Sequence, residues 1–490
     1  MKKKDNDIII KSLGESTKGV TGSCWTVEYP KNDNTKGLIV IECGLSQGEP
    51  TTEKMYNSNK NMLDNIGKEV VEKCEYVFIN HPHVDHTGNL CYFNSNTNKF
   101  NGKILGSMET VEITKELIQD TVYVHKKNVE YLKSKGKKVK PLYSNQDMYN
   151  MFDYMKSVEV NKKIKLNDNL SFILKYNNHT LGSTNLELIF TKPNNTKKTI
   201  CYSSDMGSKI NSEFSYYLRE QDIPKSCNFF ISEATYSDNR RQMNIGEALS
   251  ERIDMRNKIK ESILNGKRVL LPSFAFSKAQ LLITLLYEWF SKEEWFNNVP
   301  VVMDGLLMDN INKCYSRILV GKNKELFDDV MKWKNLKINR TYDSTKVTLM
   351  CRTCGIYIVS SGFLNEGRIT TYLPQFLESS NDVIMLNGYC GDENSRGGLL
   401  INNAVNVIKI DKLYVQKNAE ILQYKTFSSH MTHDELLELW SQLQCDKILI
   451  HHCDNKNKEN IILEAKEYMR SKNKSTRIEC VNETNKIFKL

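Results

Sequence analysis

With 490 residues, 40% of them apolar and 26% charged, the chain has an ordinary globular composition and is too long for one core, so two domains or one elaborated domain are expected. No apolar run is long enough to span a bilayer, and the charged start Met1-Lys2-Lys3-Lys4-Asp5, leading into Ile8-Ile9-Ile10, lacks the apolar core and cleavage site of a secretory signal. A net charge of +9 permits RNA or DNA as partner without demonstrating either, and thirteen irregularly spaced cysteines point to reduced thiols in a cytoplasm rather than to a disulfide framework.

The first third reads as short strands separated by turns. Gly37 to Gly44 predicts a buried strand ending in the acid Glu42 and a glycine turn. Tyr76 to Asn80 predicts another, and its apolar run Val77-Phe78-Ile79 leads directly into His81-Pro82-His83-Val84-Asp85-His86. Three imidazoles and a carboxylate within six residues stand out in a chain of nine histidines. Alternation puts His81, His83 and Asp85 on one side of an extended turn and swings His86 to a neighbouring direction, an arrangement that feeds two metal ions with nitrogen and oxygen ligands suited to zinc. Met108 to Lys135 predicts a helix, with Val111, Leu117, Ile118 and Val122 at spacings of three and four. The stretch Lys133 to Lys140 reads as its solvated end and His125 as a surface residue.

Strands resume at Leu170 to Tyr176, Leu186 to Phe190 and Thr199 to Ser203. His179 falls in a turn between two of them, and Asp205, in Ser203-Ser204-Asp205-Met206-Gly207, follows the third. From about residue 238 helix and strand alternate: helix Ile245 to Leu264, strand Arg268 to Leu271, helix Lys278 to Phe290, then strands Val299 to Met303, Gly355 to Val359 and Val383 to Leu386. This βαβ rhythm implies a parallel sheet covered by helices. His430, in Phe427-Ser428-Ser429-His430, precedes a helix Asp434 to Gln442 and a strand Lys447 to Ile450. His451 and His452 follow that strand and read as buried supporting or packing residues rather than direct ligands. Cys351-Arg352-Thr353-Cys354 has no second cysteine pair to complete a zinc ribbon.

Singly, His179, Asp205 and His430 have bland readings as turn or capping residues. Together with the strand-acid-glycine segment and the His-x-His-x-Asp-His motif they resemble the metallo-β-lactamase superfamily, αββα sandwich hydrolases with a two-metal centre. Ser232-Glu233-Ala234-Thr235-Tyr236, the run Leu271 to Gln280, Met303-Asp304-Gly305, Ser360-Ser361-Gly362-Phe363, Gly388-Tyr389-Cys390 and Phe427-Ser428-Ser429-His430 narrow the resemblance to its β-CASP group, nucleases with a second domain inserted into the sandwich. The resemblance runs over roughly residues 10 to 455. It implies an α/β fold in which 1–237 and 389–490 form a discontinuous metallo-β-lactamase domain and 238–388 an inserted parallel-sheet domain, closing over the sandwich edge to leave a cleft for single-stranded RNA.

It further implies that His81, His83 and His179 hold one Zn²⁺, that Asp85, His86 and His430 hold the other, and that Asp205 bridges both and orients the nucleophile, with Mn²⁺ as the alternative metal. Lys278, the backbone around Ser361-Gly362 and Arg396 are candidate phosphate contacts. Three departures from the family pattern stand out. The family's further histidine, held by the acid matching Glu233 and thought to protonate the leaving oxygen, is missing: Gly398 stands near its expected place, leaving Glu233 without that partner and leaving either Arg396 to stabilise the leaving oxygen or a metal-bound water to protonate it. Glu42 replaces an aspartate, and Lys278 an arginine, with loss of the planar fork.

The reading is therefore a zinc-dependent hydrolase of RNA phosphodiesters, a ribonuclease, with single-stranded RNA as substrate, no membrane partner and a homodimer allowed for. Two other classes stay open: a non-catalytic RNA-binding scaffold, prompted by the missing acid histidine, and a two-metal hydrolase of a small ester or thioester.

Overall fold

The computed structural model describes residues 7–95, 98–238, 242–391 and 393–490. Two compact units emerge: Met1–Ser208, Leu218–Gln242 and His430–Leu490 form one, Lys209–Tyr217 and Met243–Ser429 the other.

The first unit is built on two seven-stranded sheets. One contains, in spatial order, Ile487–Lys489, Ile9–Ser12, Trp25–Pro30, Lys36–Ile41, Cys74–Phe78, Lys103–Gly106 and Met155–Ser157. The other runs Arg477–Cys480, Gln444–His451, Ser226–Glu233, Lys197–Tyr202, Thr184–Thr191, Leu170–Tyr176 and Ile164–Lys165. Alternation along the strands assigns each side chain a face. Ile39, Ile41 and Phe78 join Phe172, Leu186, Leu188, Ile200 and Ile231 in one core shared by both sheets. Their neighbours Val40 and Val77 point to the other side, into a core with Met62, Ile66, Val111, Ile118 and Val122 from the helices Thr52–Lys73 and Met108–Ser134. On the far face of the second sheet, Phe230, Ile448 and Ile450 pack with Leu436, Trp440, Ile461 and Ala465 of the helices His433–Gln442 and Lys458–Ser471. These layers make the expected αββα sandwich.

The second unit has six parallel strands, in the order Leu336–Asn339, Val301–Asp304, Ile356–Val359, Arg268–Pro272, Asp382–Asn387 and Glu420–Tyr424. Helices cover both faces, as buried parallel strands require. Asn244 caps the helix Ile245–Leu264 in a reciprocal box with Glu247, fixing the start that the sequence predicts.

Two expectations are corrected. The first third is not all strands: it contains the 22-residue helix Thr52–Lys73, a weakly apolar stretch whose helical run is interrupted at Gly67 (φ 66°). Residues 389–429 cluster with the inserted unit rather than with the sandwich, because the strand Glu420–Tyr424 pairs in parallel with Asp382–Asn387 and closes that sheet's edge. Among the described residues no helix is long and apolar enough to cross a membrane.

Candidate metal centre

The residues of the centre stand at or just beyond strand ends, in turns, or on the short helix Val84–Thr87 of the first unit. Lys36–Ile41 and Cys74–Phe78 run parallel and deliver Glu42 and the His81–His86 segment. Lys197–Tyr202, Ser226–Glu233 and Gln444–His451 run parallel in the second sheet and deliver Asp205, Glu233 and His452. Backbones crowd here. A Cβ on Gly44 would fall 1.6 Å from the Asp85 carbonyl oxygen, and one on Gly207 2.1 Å from that of Asn178, so only glycine fits at either position. Glu42, Asn178, Ser204 and His452 all have positive φ (61°, 61°, 52° and 50°), a concentration of strained backbone that recurs at functional sites.

Asp205 is the hub. Its Oδ2 lies 3.5 Å from His81 Nε2, 3.4 Å from His86 Nε2 and 3.8 Å from His179 Nε2, and its Oδ1 lies 3.5 Å from His452 Nδ1. Two sets of four donors form around it: His81, His83, His179 and Asp205, and then Asp85, His86, His452 and Asp205, each with its ligand atoms within 4.8 Å of one another. His81 Nε2, His86 Nε2, His452 Nε2 and Asp205 Oδ1 are buried and have no hydrogen-bond partner among the described residues. Converging, buried donors without hydrogen-bond partners are costly unless a cation satisfies them, so these residues fit a pair of metal ions.

Glu42 holds the supporting layer. It accepts hydrogen bonds from Ser204 Oγ (2.6 Å) and Tyr202 Oη (2.5 Å), and its Oε2 is 2.6 Å from His86 Nδ1. Ser204 Oγ in turn meets His81 Nδ1 at 2.9 Å. A glutamate is thus accommodated where the family has aspartate: its carboxylate fixes the outer nitrogen of one ligand directly and of another through a serine.

Burial holds His81, His83 and His179 below the ordinary imidazole pKa, His83 at about 4, so all three rings are neutral and ready to donate lone pairs. His86 goes the other way. Burial opposes its charge, but Glu42 and Asp205 outweigh burial and raise it well above the ordinary value. Burial likewise opposes ionisation of Asp85 and Asp205, yet the surrounding imidazoles hold both carboxyls well below the usual range.

The geometry corrects two sequence expectations. His452, not His430, stands with Asp85 and His86: its Nε2 is 3.5 Å from Asp85 Oδ2. It lies just past the strand Gln444–His451, whose register pairs His451 with Glu233. The signal that located Asp205, a polar residue just past a strand end, applied equally to it. His451 points elsewhere, its Nδ1 3.4 Å from Ser16 Oγ and its ring edge-on to Trp25. His430 Nδ1 instead lies 3.3 Å from Glu233 Oε1, so Glu233 has an imidazole partner after all and Arg396 is not needed as its substitute. The His430 segment is anchored by Met431 N donating to the Met206 carbonyl, and its ring centroid is 4.5 Å from that of His179. Burial works against the His430 imidazolium, but Glu233 outweighs it and raises the pKa.

The candidate phosphate contacts lie in the second unit, past the ends of parallel strands. Lys278 Nζ donates to the Asn387 carbonyl at 2.8 Å, Ser361 Oγ donates to the Glu366 carbonyl at 3.2 Å, and Gly362 lets the Phe274 ring approach closely. Arg396 donates to the Leu364 carbonyl. Gly398 accepts no side-chain role; its N–H donates to the capping Ser395.

A family model for the Beta-Casp domain matches residues 279–399. The chain is 26% identical over 432 residues to a protein of Methanocaldococcus jannaschii named probable RNase MJ4, covering 86% of this chain and 88% of the relative. It is 22% identical to endoribonuclease ysh1 of Schizosaccharomyces pombe, across 78% of this chain but only 47% of that longer relative. In fold it resembles a solved protein of unknown function from Enterococcus faecalis V583, with a TM-score of 0.54 at 12% identity, covering 99% of this chain and all of the other. Sandwich, inserted parallel-sheet unit and matched sequence together support the likeness of the chain to the β-CASP group of the metallo-β-lactamase superfamily.

Proposed function

We propose that the protein is a metal-dependent ribonuclease that hydrolyses phosphodiester bonds in single-stranded RNA. The observation that carries this reading is the meeting of two four-donor sets on the shared carboxylate of Asp205, beside the Glu233–His430 pair. The names of the relatives, a probable RNase and an endoribonuclease, support RNA as the substrate.

His81, His83, His179 and Asp205 would hold one ion, and Asp85, His86, His452 and Asp205 the other. Three imidazoles and a carboxylate in the first set, and two of each in the second, suit Zn²⁺, with Mn²⁺ the alternative. Paired dications lower the pKa of water so that hydroxide is available near neutral pH. Glu233 accepts backbone N–H bonds from Met206 (2.8 Å) and Thr235 (2.9 Å), which fixes its carboxylate against His430. That contact orients the ring and favours the imidazolium, poised to give its Nε2 proton to the leaving oxygen. Lys278, Ser361 and Gly362 remain the proposed phosphate contacts. Among the described residues the thirteen cysteines form no disulfide, which supports a reducing, cytoplasmic setting.

The scaffold alternative rested on a Glu233 lacking its histidine, and His430 removes that ground. Incubation with a mixed RNA pool tests the proposal: chelation should abolish cleavage and Zn²⁺ or Mn²⁺ restore it. A folded, fully metallated preparation that leaves every RNA intact would overturn it, and one that turns over simple esters but not RNA would favour the small-ester class.

A further inference from the structure

We propose that the C-terminal end of the helix Met108–Ser134 and the turn behind it form a docking surface for single-stranded RNA, well separated from the metal centre. This rests on the ribonuclease reading for the identity of the polyanion, but the surface itself stands on independent observations.

The first is charge. Between Lys126 and Lys140 the chain carries seven lysines and one glutamate, an excess of +6 within a total of +9. Lys127 pairs with Glu130 and Lys137 with Glu53. Among the described residues no carboxylate lies within ion-pair distance of Lys126, Lys133, Lys135, Lys138 or Lys140, and all five are exposed. Most other long helices of the chain spread lysines among acids at i+3 or i+4, as Lys60–Asp64, Lys73–Glu69 and Lys258–Glu261 show. Unscreened like charges repel one another, and a bound polyanion relieves that repulsion.

The second is an aromatic ladder. Tyr123, Lys127, Tyr131 and Lys135 follow one another four residues apart, on the exposed face opposite the buried Val129 and Leu132. The two tyrosines are 60% and 51% exposed, and Lys127 and Lys135 sit 5.9 and 5.6 Å from their ring centroids. Exposed rings alternating with ammonium groups offer stacking to unpaired bases and charge to the phosphates between them, a combination that suits a single strand better than a closed duplex.

The third is that the surface is held in shape. Burial depresses the His125 pKa to about 4, so its Nε2 stays an acceptor and takes the Leu142 N–H at 3.0 Å. Tyr56 stacks on His125 and donates from its hydroxyl to the Lys140 carbonyl at 2.8 Å. The turn bearing Lys137, Lys138 and Lys140 is therefore tied back to the helix, and His125 is a partly buried tether rather than the surface residue expected from sequence. At its other end the helix is fixed to the His179 turn, where Ser107 and Thr110 hydroxyls donate to the Gly182 carbonyl. A 27-residue helix is about 40 Å long, so the basic end stands several nucleotides from the metal centre.

The test replaces Lys126, Lys133, Lys135, Lys138 and Lys140 together by Gln, and separately Tyr123 and Tyr131 by Ala, all exposed positions where folding is checked by circular dichroism. Binding of a fluorescent 20-nucleotide RNA is followed in a cleavage-suppressed His430→Asn background. The lysine variant should bind at least ~10-fold more weakly at 100 mM salt, and its log Kd against log salt should be shallower by up to about 3.5, roughly 0.7 per lost phosphate contact. The tyrosine variant should lose at least about fivefold, with Tyr→Phe retaining affinity. In the otherwise unmodified enzyme, KM for the 20-mer should rise with kcat unchanged, while a tetranucleotide too short to reach the helix end is turned over as before. Lysine and tyrosine variants that keep the affinity and salt slope of the parent would overturn the inference, as would anionic phosphatidylserine vesicles that compete as well as RNA. If instead no RNA is cleaved but the lysine-dependent binding holds, the ribonuclease reading fails and the docking surface stands.

Discussion

Glu233 and His430 stand 197 residues apart in the chain, yet Oε1 of one and Nδ1 of the other are 3.3 Å apart. Two backbone amides pin the carboxylate, and the carboxylate pins the ring, so the imidazole meets the ion centre with a fixed edge. Glu233→Gln and His430→Asn should each lower kcat by ~10²- to 10⁴-fold, the usual worth of a positioned acid, while zinc content by mass spectrometry stays at the parent value. A loss of metal in step with the loss of turnover would make the pair structural.

The two neighbouring histidines at the end of Gln444–His451 are predicted to differ sharply. His452→Ala removes a donor from the set containing Asp85 and His86, and zinc titration should show one of two ions bound at least about 10-fold more weakly. His451→Ala leaves both donor sets whole and should keep the parent stoichiometry. The reverse outcome would exchange their roles.

Metal binding should release protons. His86 has a raised pKa and keeps its second proton near neutrality in the metal-free protein, whereas burial keeps His81, His83 and His179 neutral. An ion taking His86 Nε2 must displace that proton, so calorimetry in buffers of different ionisation enthalpy should register about one proton per protein at pH 7. Affinity should fall as pH drops, because protons compete for the ring, and release should vanish above the raised pKa. Release of no proton at pH 7 would contradict the charge assigned to His86.

In the second unit, Arg268 and Asp382 form a buried bidentate pair across the adjacent strands Arg268–Pro272 and Asp382–Asn387, with the guanidinium carbon 4.3 Å from the Phe376 ring centroid. Asp382→Ala strands a cation in the core and should cost about 3–5 kcal/mol in chemical denaturation. Replacing both residues by Met and Leu should cost much less, since the desolvation of the charges disappears with them. A single substitution within about 1 kcal/mol of the parent would mean the pair is solvated.

What the sequence determined by itself was everything written in short-range pattern. His81, His83, Asp85 and His86 lie within six residues, so their convergence is local, although the segment closes as the short helix Val84–Thr87 rather than as an extended turn, and His179 and Asp205 were legible because strand periodicity ends just before each. The αββα layers and the parallel sheet followed from alternation of period two and from βα rhythm, and the helices Ile245–Leu264 and Lys278–Phe290 from apolar spacing, with a capping residue at the first. Which of His430, His451 and His452 meets Asp85, and which meets Glu233, was beyond that reach. Both decisions depend on the register of Gln444–His451 against Ser226–Glu233 and on the positive φ of His452, which turns its ring towards Asp205 while His451 faces Trp25. Local propensity is nearly indifferent to a one-residue choice at a strand end; packing is not, because only one of two consecutive side chains can enter the shared space between the sheets' ends.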